Sequence, residues 1–269
     1  MGSIPTDERA WLDLIRGGQP PAWRLLAEGS GGGIFVDAGV QAAIVPAAPE
    51  RSVFNSVFYS DAERLLASLE AIDDAYDEAG VRAWTVWVPA GDAGTARALE
   101  RAGHALDAEP RDMGMAMSEL REPAGEPDPE VELVEREDYG SMARLNEIAY
   151  GYPAGDFRAV SEAAMPGLRI YFARIGGEDV STLGIWPHRQ DAVVVWVATA
   201  PEARGRGLST RLLATALADA REAGLRTTTL QATKLGYPIY ARLGYRDFGV
   251  VQMWERRAGG PAPRPATAQ

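Results

Sequence analysis

Two arginines and two glycines alternate at residues 204–207, where they separate a predicted strand from a predicted helix. The β-branched and aromatic run 193–197 indicates the strand, and leucines that recur at helical spacing from Leu208 to Leu217 indicate the helix. A helix N-terminus has unpaired N–H groups and a partial positive charge, and glycine lets a ligand approach the backbone closely. Arginine guanidinium groups suit phosphate oxygens. The arrangement therefore predicts a binding site for a pyrophosphate.

Two motifs in this part of the chain resemble the signatures of one family. Residues 204–209 have the spacing R-x-x-G-x-S, which resembles the acetyl-CoA signature R-x-x-G-x-(G/A) of the GNAT acetyltransferase superfamily. Ser209 departs from that pattern because its side chain occupies the last small-residue position. Residues 237–245, YPIYARLGY, resemble the second signature, in which a tyrosine precedes a lysine or arginine and then Gly-Phe or Gly-Tyr. The two motifs stand in the family's order, separated by a predicted helix and strand.

The predicted elements over residues 131–257 are similar in order to the GNAT fold: strand, helix, three-stranded meander, helix, strand, helix, strand. The first half repeats parts of this segment, since RLLA occurs at 64–67 and at 211–214. It has no glycine over 51–60, and Leu99 stands where the second half has Tyr240. We therefore expect an α/β (α+β) chain of two GNAT-like domains, each a mixed, mostly antiparallel central sheet flanked by helices, with a degenerate first domain.

Residues 121–130, REPAGEPDPE, combine three prolines with charged side chains and predict a domain boundary. The predicted division is a degenerate GNAT-like domain over 1–122, a linker over 123–130 and a catalytic domain over 131–257. The proline- and alanine-rich tail 258–269 is predicted to be disordered.

Composition excludes several classes of function. The chain has no cysteine, so thiolate metal sites and cysteine nucleophiles are excluded, and its two histidines are isolated; we expect no metal. The formal net charge is −11, and residues 1–122 carry twenty acidic against ten basic side chains, which argues against a nucleic-acid partner. No apolar run approaches the ~20 residues of a membrane span. We expect a cytoplasmic bacterial protein, monomeric or homodimeric, without membrane contact.

The resemblance implies transfer of an acetyl group from acetyl-CoA to a primary amine, on a small molecule or a protein, by direct attack. It implies Tyr240 as the general acid that protonates the departing thiolate. The general base stays open between Glu147, a water relay and an amine that arrives neutral. Tyr150, Tyr152 and Phe157 lie where the family builds its acceptor-side wall, and they are equally compatible with core packing. The implied acetyl-CoA contacts are Val197, Ala198, Thr199, Arg204, Gly205, Arg206, Gly207, Leu208, Ser209, Thr210 and Thr233.

Three other interpretations stay open. A tandem acetyltransferase resembling mycothiol synthase has the same layout, with one competent half. A regulatory module could bind CoA without catalysis, although the retained Tyr240 disfavours it. A Rossmann-type nucleotide site accounts for only Gly205 and Gly207, and these follow a late strand of a meander instead of the first strand of a parallel sheet.

Overall fold

The computed structural model describes residues 4–157, 159 and 165–259; most of the predicted tail, from residue 260 on, lies outside them. The helices are α1 (Glu8–Gly29), α2 (Ala62–Glu78), α3 (Ala93–Arg101), α4 (Tyr139–Tyr150), α5 (Leu208–Glu222) and α6 (Tyr237–Leu243). The strands are β1 (Gly33–Asp37), β2 (Val40–Ile44), β3 (Ser56–Tyr59), β4 (Ala83–Pro89), β5 (Ala105–Ala108), β6 (Arg111–Ala116), β7 (Val131–Glu135), β8 (Arg169–Ile175), β9 (Glu178–His188), β10 (Asp191–Thr199), β11 (Thr227–Ala232) and β12 (Arg246–Arg257).

The chain divides into two compact units, and their limits differ from the predicted domain limits. Unit 1 comprises the described residues of 1–18, 111–157 and 166–248, and unit 2 those of 19–110, 158–165 and 249–269. The predicted linker 123–130 lies within unit 1. Each unit therefore takes chain segments from both halves of the sequence.

Unit 1 contains a six-stranded sheet in the order β6-β11-β10-β9-β8-β7. All neighbouring strands in it are antiparallel except β10 and β11, which are parallel. Unit 2 contains β1-β2-β3-β4-β12, with β5 also paired to β12, and there β3 and β4 form the parallel pair. The predicted fold class, mixed and mostly antiparallel sheets flanked by helices, is confirmed.

The last strand of each sequence half belongs to the other half's sheet, which explains the limits of the units. Strand β6, from the first half, pairs along its whole length with β11 of unit 1. Strand β12, from the second half, pairs over Val251–Arg257 with β4 of unit 2. Alternating hydrophobic residues identify a strand and its buried face, but they do not identify its neighbour. The sequence pattern therefore predicts both strands and leaves this exchange undetected.

The N-terminal segment is one helix, whereas the sequence predicts two helices, 6–16 and 21–28. Helix α1 runs through Pro20 and Pro21. The φ of proline suits a helix. Each proline lacks a backbone N–H, so it removes only the hydrogen bond that this N–H would donate to the carbonyl four residues earlier. The carbonyl of Pro20 itself accepts a hydrogen bond from the Gln41 side chain at 2.7 Å. The prediction of a break here was wrong.

Buried leucines fix the helix that follows the arginine–glycine motif. Within α5, Leu212, Leu213, Ala216 and Leu217 have no exposed surface, and the helix packs on β8, β9 and β10. Burying one such leucine stabilises a fold by about 1.5–3 kcal/mol. The N-terminus of α5 is therefore held firmly beside the end of β10. None of the described helices is both long and apolar enough to cross a membrane.

A buried carboxyl group lies at the start of β10. Asp191 is 1% exposed, and its Oδ2 accepts a hydrogen bond from the Thr229 hydroxyl. Among the described residues, Asp191 Oδ1 has no hydrogen-bond partner. Burial raises the pKa of Asp191 to about 6, although hydrogen bonds from Thr229 and Thr227 oppose the shift.

The raised pKa of Asp191 predicts that stability falls as pH rises from about 4 to 6. In this window the folded protein binds the proton and the unfolded chain, whose aspartates titrate near ~3.9, releases it. The Asp191→Asn variant should lack this contribution. Between pH 4 and pH 7 its free energy of unfolding should therefore fall by about 1–3 kcal/mol less than that of the wild type. Urea unfolding at several pH values measures the slope. The exposed Asp13→Asn is the control; equal slopes in wild type and Asp191→Asn would refute the prediction.

Candidate active site

The arginine–glycine motif forms an open loop at the N-terminus of α5. Gly205 and Gly207 have φ values of +80° and +73°, a left-handed conformation that glycine adopts without strain. Gly207 is the N-cap residue of α5, and no side chain caps this end of the helix. A Cβ atom at either glycine would meet no protein atom within 4 Å. With no side-chain cap, this end of α5 is compatible with the anion site that the sequence predicts.

The two arginines of the motif already bind acceptors of the protein. The Arg204 guanidinium donates to the Thr199 carbonyl at 3.3 Å and to the Ala149 carbonyl at 2.8 Å, which joins the end of β10 to α4. The Arg206 guanidinium pairs with Asp128 and Glu130. Both side chains were predicted as free phosphate ligands; in the structure each has protein partners.

A pocket of about 490 Å³ lies beside the loop within unit 1. Its walls include Gly207 and Thr210 of the α5 N-terminus, the guanidinium-bearing side chains of Arg206, Arg211 and Arg242, and residues 122–126. Three arginines and the N-terminus of α5 thus line one cavity, groups that suit an anionic ligand, together with the carboxylates of Glu122, Glu126 and Asp128. Among the predicted residues, Arg206, Gly207 and Thr210 are brought together here.

Strand β10 separates from β11 next to this loop. Their parallel pairing covers only Asp191–Val193 and Thr227–Thr229, although both strands continue. On its other side β10 stays paired with β9, with an extra residue bulged within 195–198. Trp196 in this bulge has a φ of +51°, which is rare for an aromatic residue. Among the described residues, those at 194–199 pair with no strand on the β11 side.

The backbone of Thr199 faces the gap between β10 and β11. The Ala200 N–H donates to the Val180 carbonyl, and Ala198 is paired with Thr182. In an antiparallel ladder, successive residues direct their backbone groups to opposite sides. Thr199 therefore turns its N–H and carbonyl away from β9 and into the gap, where an extended ligand could pair with them. Its hydroxyl is bonded to the Ser181 hydroxyl at 2.7 Å.

Two side chains of α4 hold the bulge of β10. Asn146 Nδ2 donates to the Trp196 carbonyl and Tyr150 Oη donates to the Val197 carbonyl, each at 3.2 Å. Asn146 is 1% exposed, and burial raises the pKa of Tyr150 to about 12. Sequence reasoning missed Asn146 and Trp196, because no local pattern predicts a left-handed tryptophan or the asparagine that supports it.

Some predicted cofactor-binding residues have structural tasks in this fold. Leu208 is 3% exposed and belongs to the core, so only its backbone could reach a ligand. The Thr233 hydroxyl accepts a hydrogen bond from the Gly236 N–H at 3.2 Å, in the turn just before α6. The Ala198 carbonyl accepts from the Ser181 hydroxyl. Ser209, in the first turn of α5, is half-buried.

Tyr240 lies on α6 and is 6% exposed. Its ring packs edge-on against Tyr245, with centroids 5.8 Å apart. Burial raises the pKa of Tyr240 well above its ordinary value, and the nearby Tyr150 phenol adds to the shift. Among the described residues, none is hydrogen-bonded to its hydroxyl. A Cβ at Gly236 would lie 2.8 Å from the Tyr240 ring, so residue 236 must be small for the ring to lie here. Tyr240 thus stays protonated and can donate a hydrogen bond.

The predicted acceptor-side residues form one aromatic stack. Ring centroids are 6.0 Å apart for Tyr150 and Tyr152, and 5.6 Å for Tyr152 and Phe157. Glu147 Oε1 accepts hydrogen bonds from the N–H groups of Gly155 and Phe157 at 2.8 and 2.9 Å. Glu147 is thus buried, and its carboxylate anchors the loop after α4.

The corresponding place in unit 2 differs in the features that matter for an anion. Helix α2 is capped by Asp61, whose carboxylate accepts the Arg64 N–H at 3.1 Å. The parallel pair β3–β4 also ends early, but the next residues, Phe58 and Trp87, stack their rings at 6.0 Å. An anion at this helix would have to displace a carboxylate of the protein. Within the described ranges of both units, no group of three or more histidine, aspartate and glutamate side chains could hold a metal ion.

Comparisons with known proteins agree with this geometry. Residues 130–248 match the family model described as acetyltransferase (GNAT) domain. A GCN5-related N-acetyltransferase from Kribbella flavida aligns with a TM-score of 0.66 at 17% identity, covering 99% of this chain and 100% of that one. One from Sphaerobacter thermophilus gives 0.61 at 15% identity, covering 97% and 96%. A tandem GNAT protein from the clavulanic acid biosynthesis pathway gives 0.56 at 15% identity, covering 83% and 79%.

No curated protein matches the chain in sequence. The three solved structures are less than 20% identical to this chain, so their likeness concerns the fold, over most of its length. The family model matches the part of the sequence that contains the open loop. Residues 130–248 are therefore similar in sequence to the GNAT acetyltransferase domain, and the likeness to the solved structures concerns the fold.

Proposed function

We propose that this protein transfers an acetyl group from acetyl-CoA to a primary amine and that unit 1 holds the site. The observation that carries the proposal is the uncapped N-terminus of α5 at Gly207, with open space around it and beside a pocket that three arginines help to line. A pyrophosphate bound there would accept hydrogen bonds from the first-turn N–H groups of α5. The pantetheine arm would then lie along the gap between β10 and β11, within reach of the Thr199 backbone.

Tyr240 is proposed to donate to the sulfur of the departing thiolate. The raised pKa of Tyr240 keeps its phenol protonated at any physiological pH. It also makes full proton transfer to the thiolate less favourable than transfer from an ordinary tyrosine, because the conjugate thiol has a pKa of only ~8.5. We therefore infer that the phenol stabilises the developing negative charge by a hydrogen bond and completes the transfer as the bond to carbon breaks.

Glu147 is the side chain that the sequence leaves open as the general base. Glu147 is occupied by two backbone N–H groups and is 8% exposed. Removing a proton through it would break the anchor of the loop 151–157. A water relay or an amine that arrives neutral therefore fits better. The acceptor would approach along the Tyr150, Tyr152 and Phe157 stack.

The test of the function is release of free thiol from acetyl-CoA in the presence of a panel of amines, with mass spectrometry of the acetylated product. Turnover with any primary amine supports the proposal. Tight binding of CoA without turnover of any amine or thiol would instead favour a regulatory module, and turnover confined to thiols would exclude an N-acetyltransferase.

The Gly207→Val and Gly207→Asn variants should lose at least tenfold in affinity for acetyl-CoA. Both side chains would stand where the pyrophosphate approaches, but asparagine tolerates the left-handed conformation that strains valine. Calorimetric titration measures the dissociation constant. Gly224→Asn, at the other end of α5 with φ of +92° and open space, is the matched control and should bind as wild type does. Unchanged affinity in a folded Gly207→Asn protein would rule out the pyrophosphate site.

The chain should bind one equivalent of CoA, because Asp61 caps α2 in unit 2 and no side chain caps α5 in unit 1. The stoichiometry from the same calorimetric titration decides this. Two equivalents per chain would mean that the first half is also a working donor site.

Tyr240→Phe should keep its affinity for acetyl-CoA and lose about 10²–10⁴ in kcat, the range for one positioned acid–base group. Raising the pH should not restore activity, because hydroxide cannot supply the missing proton. Steady-state and single-turnover kinetics separate chemistry from product release. Tyr237→Phe, which removes a hydroxyl from the same helix, is the control. A chemical step within about threefold of wild type would leave Tyr240 with a packing role alone.

A further inference from the structure

We propose that the acidic linker 123–130 sets the affinity of the donor site by competing with phosphate for Arg206. The inference rests on the proposed function. It concerns Asp128 and Glu130, which belong to neither of the two motifs that resemble GNAT signatures. The linker lies in unit 1 with the motif it would regulate. It is also the segment that the sequence predicts to be a plain connection between domains.

The contacts between the linker and the phosphate-binding loop are specific. Arg206 Nη2 lies 2.6 Å from Asp128 Oδ2 and 3.3 Å from Glu130 Oε2. Asp128 Oδ1 in turn accepts the backbone N–H of Glu130 at 3.0 Å, which holds the two carboxylates on the same cation. The Arg206 guanidinium lowers the pKa of Asp128, so the pair persists at neutral pH.

A second arginine holds the linker close to α5. Arg211 Nη2 donates to the carbonyls of Gly125 and Glu126 at 2.6 and 2.7 Å, and to that of Ala124 at 3.2 Å. Arg211 lies in the first turn of the helix whose N-terminus Gly207 leaves open. The acidic segment is thereby kept beside the site, so its carboxylates act at high effective concentration.

Carboxylates and phosphates seek the same guanidinium geometry, so they compete for it. In the structure two carboxylates occupy Arg206, while Arg242, on another wall of the same pocket, has no ion-pair partner among the described residues. A pyrophosphate entering the pocket therefore meets the α5 N–H groups and Arg242 first. It gains Arg206 only by displacing Asp128 and Glu130, and binding is weakened by the cost of that displacement.

The Asp128→Asn/Glu130→Gln double variant should bind CoA about two- to fivefold more tightly than wild type, the range spanned by a solvent-accessible ion pair. The same change should tighten ADP, which carries the pyrophosphate, and should leave pantetheine, which lacks it, unaffected. Glu178→Gln/Glu222→Gln is the matched control, because it removes the same charge from exposed positions of unit 1 that neither line the pocket nor contact Arg206. Calorimetry with these three ligands measures each constant, and thermal unfolding checks that each variant is folded.

Arg206→Gln supplies a readout that a structural role of the linker would not produce. In the Asp128→Asn/Glu130→Gln background this substitution should remove the gain. Equal affinities of the double variant and its control, a gain that extends to pantetheine, or weaker binding of the double variant would overturn the inference. Failure of every protein to bind CoA or ADP would overturn the donor site itself.

Discussion

The site in unit 1 depends on the early end of the pairing between β10 and β11. Beyond Val193 and Thr229 the two strands have no hydrogen bonds to each other, so backbone groups of β10 face a gap. Such groups are costly when buried without partners and useful when a ligand supplies them. The neighbouring features follow from this opening. Asn146 and Tyr150 hold the bulge of β10, Arg204 fixes its end to α4, and Leu212 and Leu217 hold α5 beside it.

The two units differ in how the chain satisfies a helix N-terminus. Both have a short parallel strand pair followed by a helix. In unit 2 a carboxylate of the chain, that of Asp61, satisfies the helix N-terminus, while in unit 1 Gly207 has no side chain to do so. Relative to glycine, an N-cap aspartate stabilises a helix by about a few tenths of a kcal/mol. The N-terminus of α5 lacks that small stabilisation.

Local patterns in the sequence predicted most of what a single segment determines. The strand ending at Thr199, the glycine loop and the helix from Leu208 were all predicted to within two residues, because periodicity and turn residues are local. Features that depend on residues distant in the sequence could not be predicted from local patterns. The exchange of β6 and β12, the carboxylates on Arg206 and the left-handed Trp196 all arise from tertiary contacts, and no residue pattern within the segment encodes them.

The exchange of final strands also constrains the order in which the chain can fold during synthesis. The first half emerges from the ribosome before β12 exists, and β4 then lacks the neighbour that it has over Val251–Arg257. Strand β6, in contrast, is synthesised long before β11, the strand with which it pairs. Unit 2 therefore closes last although most of its residues are made first. Such pairings of high sequence separation form slowly and leave a strand edge exposed in the meantime.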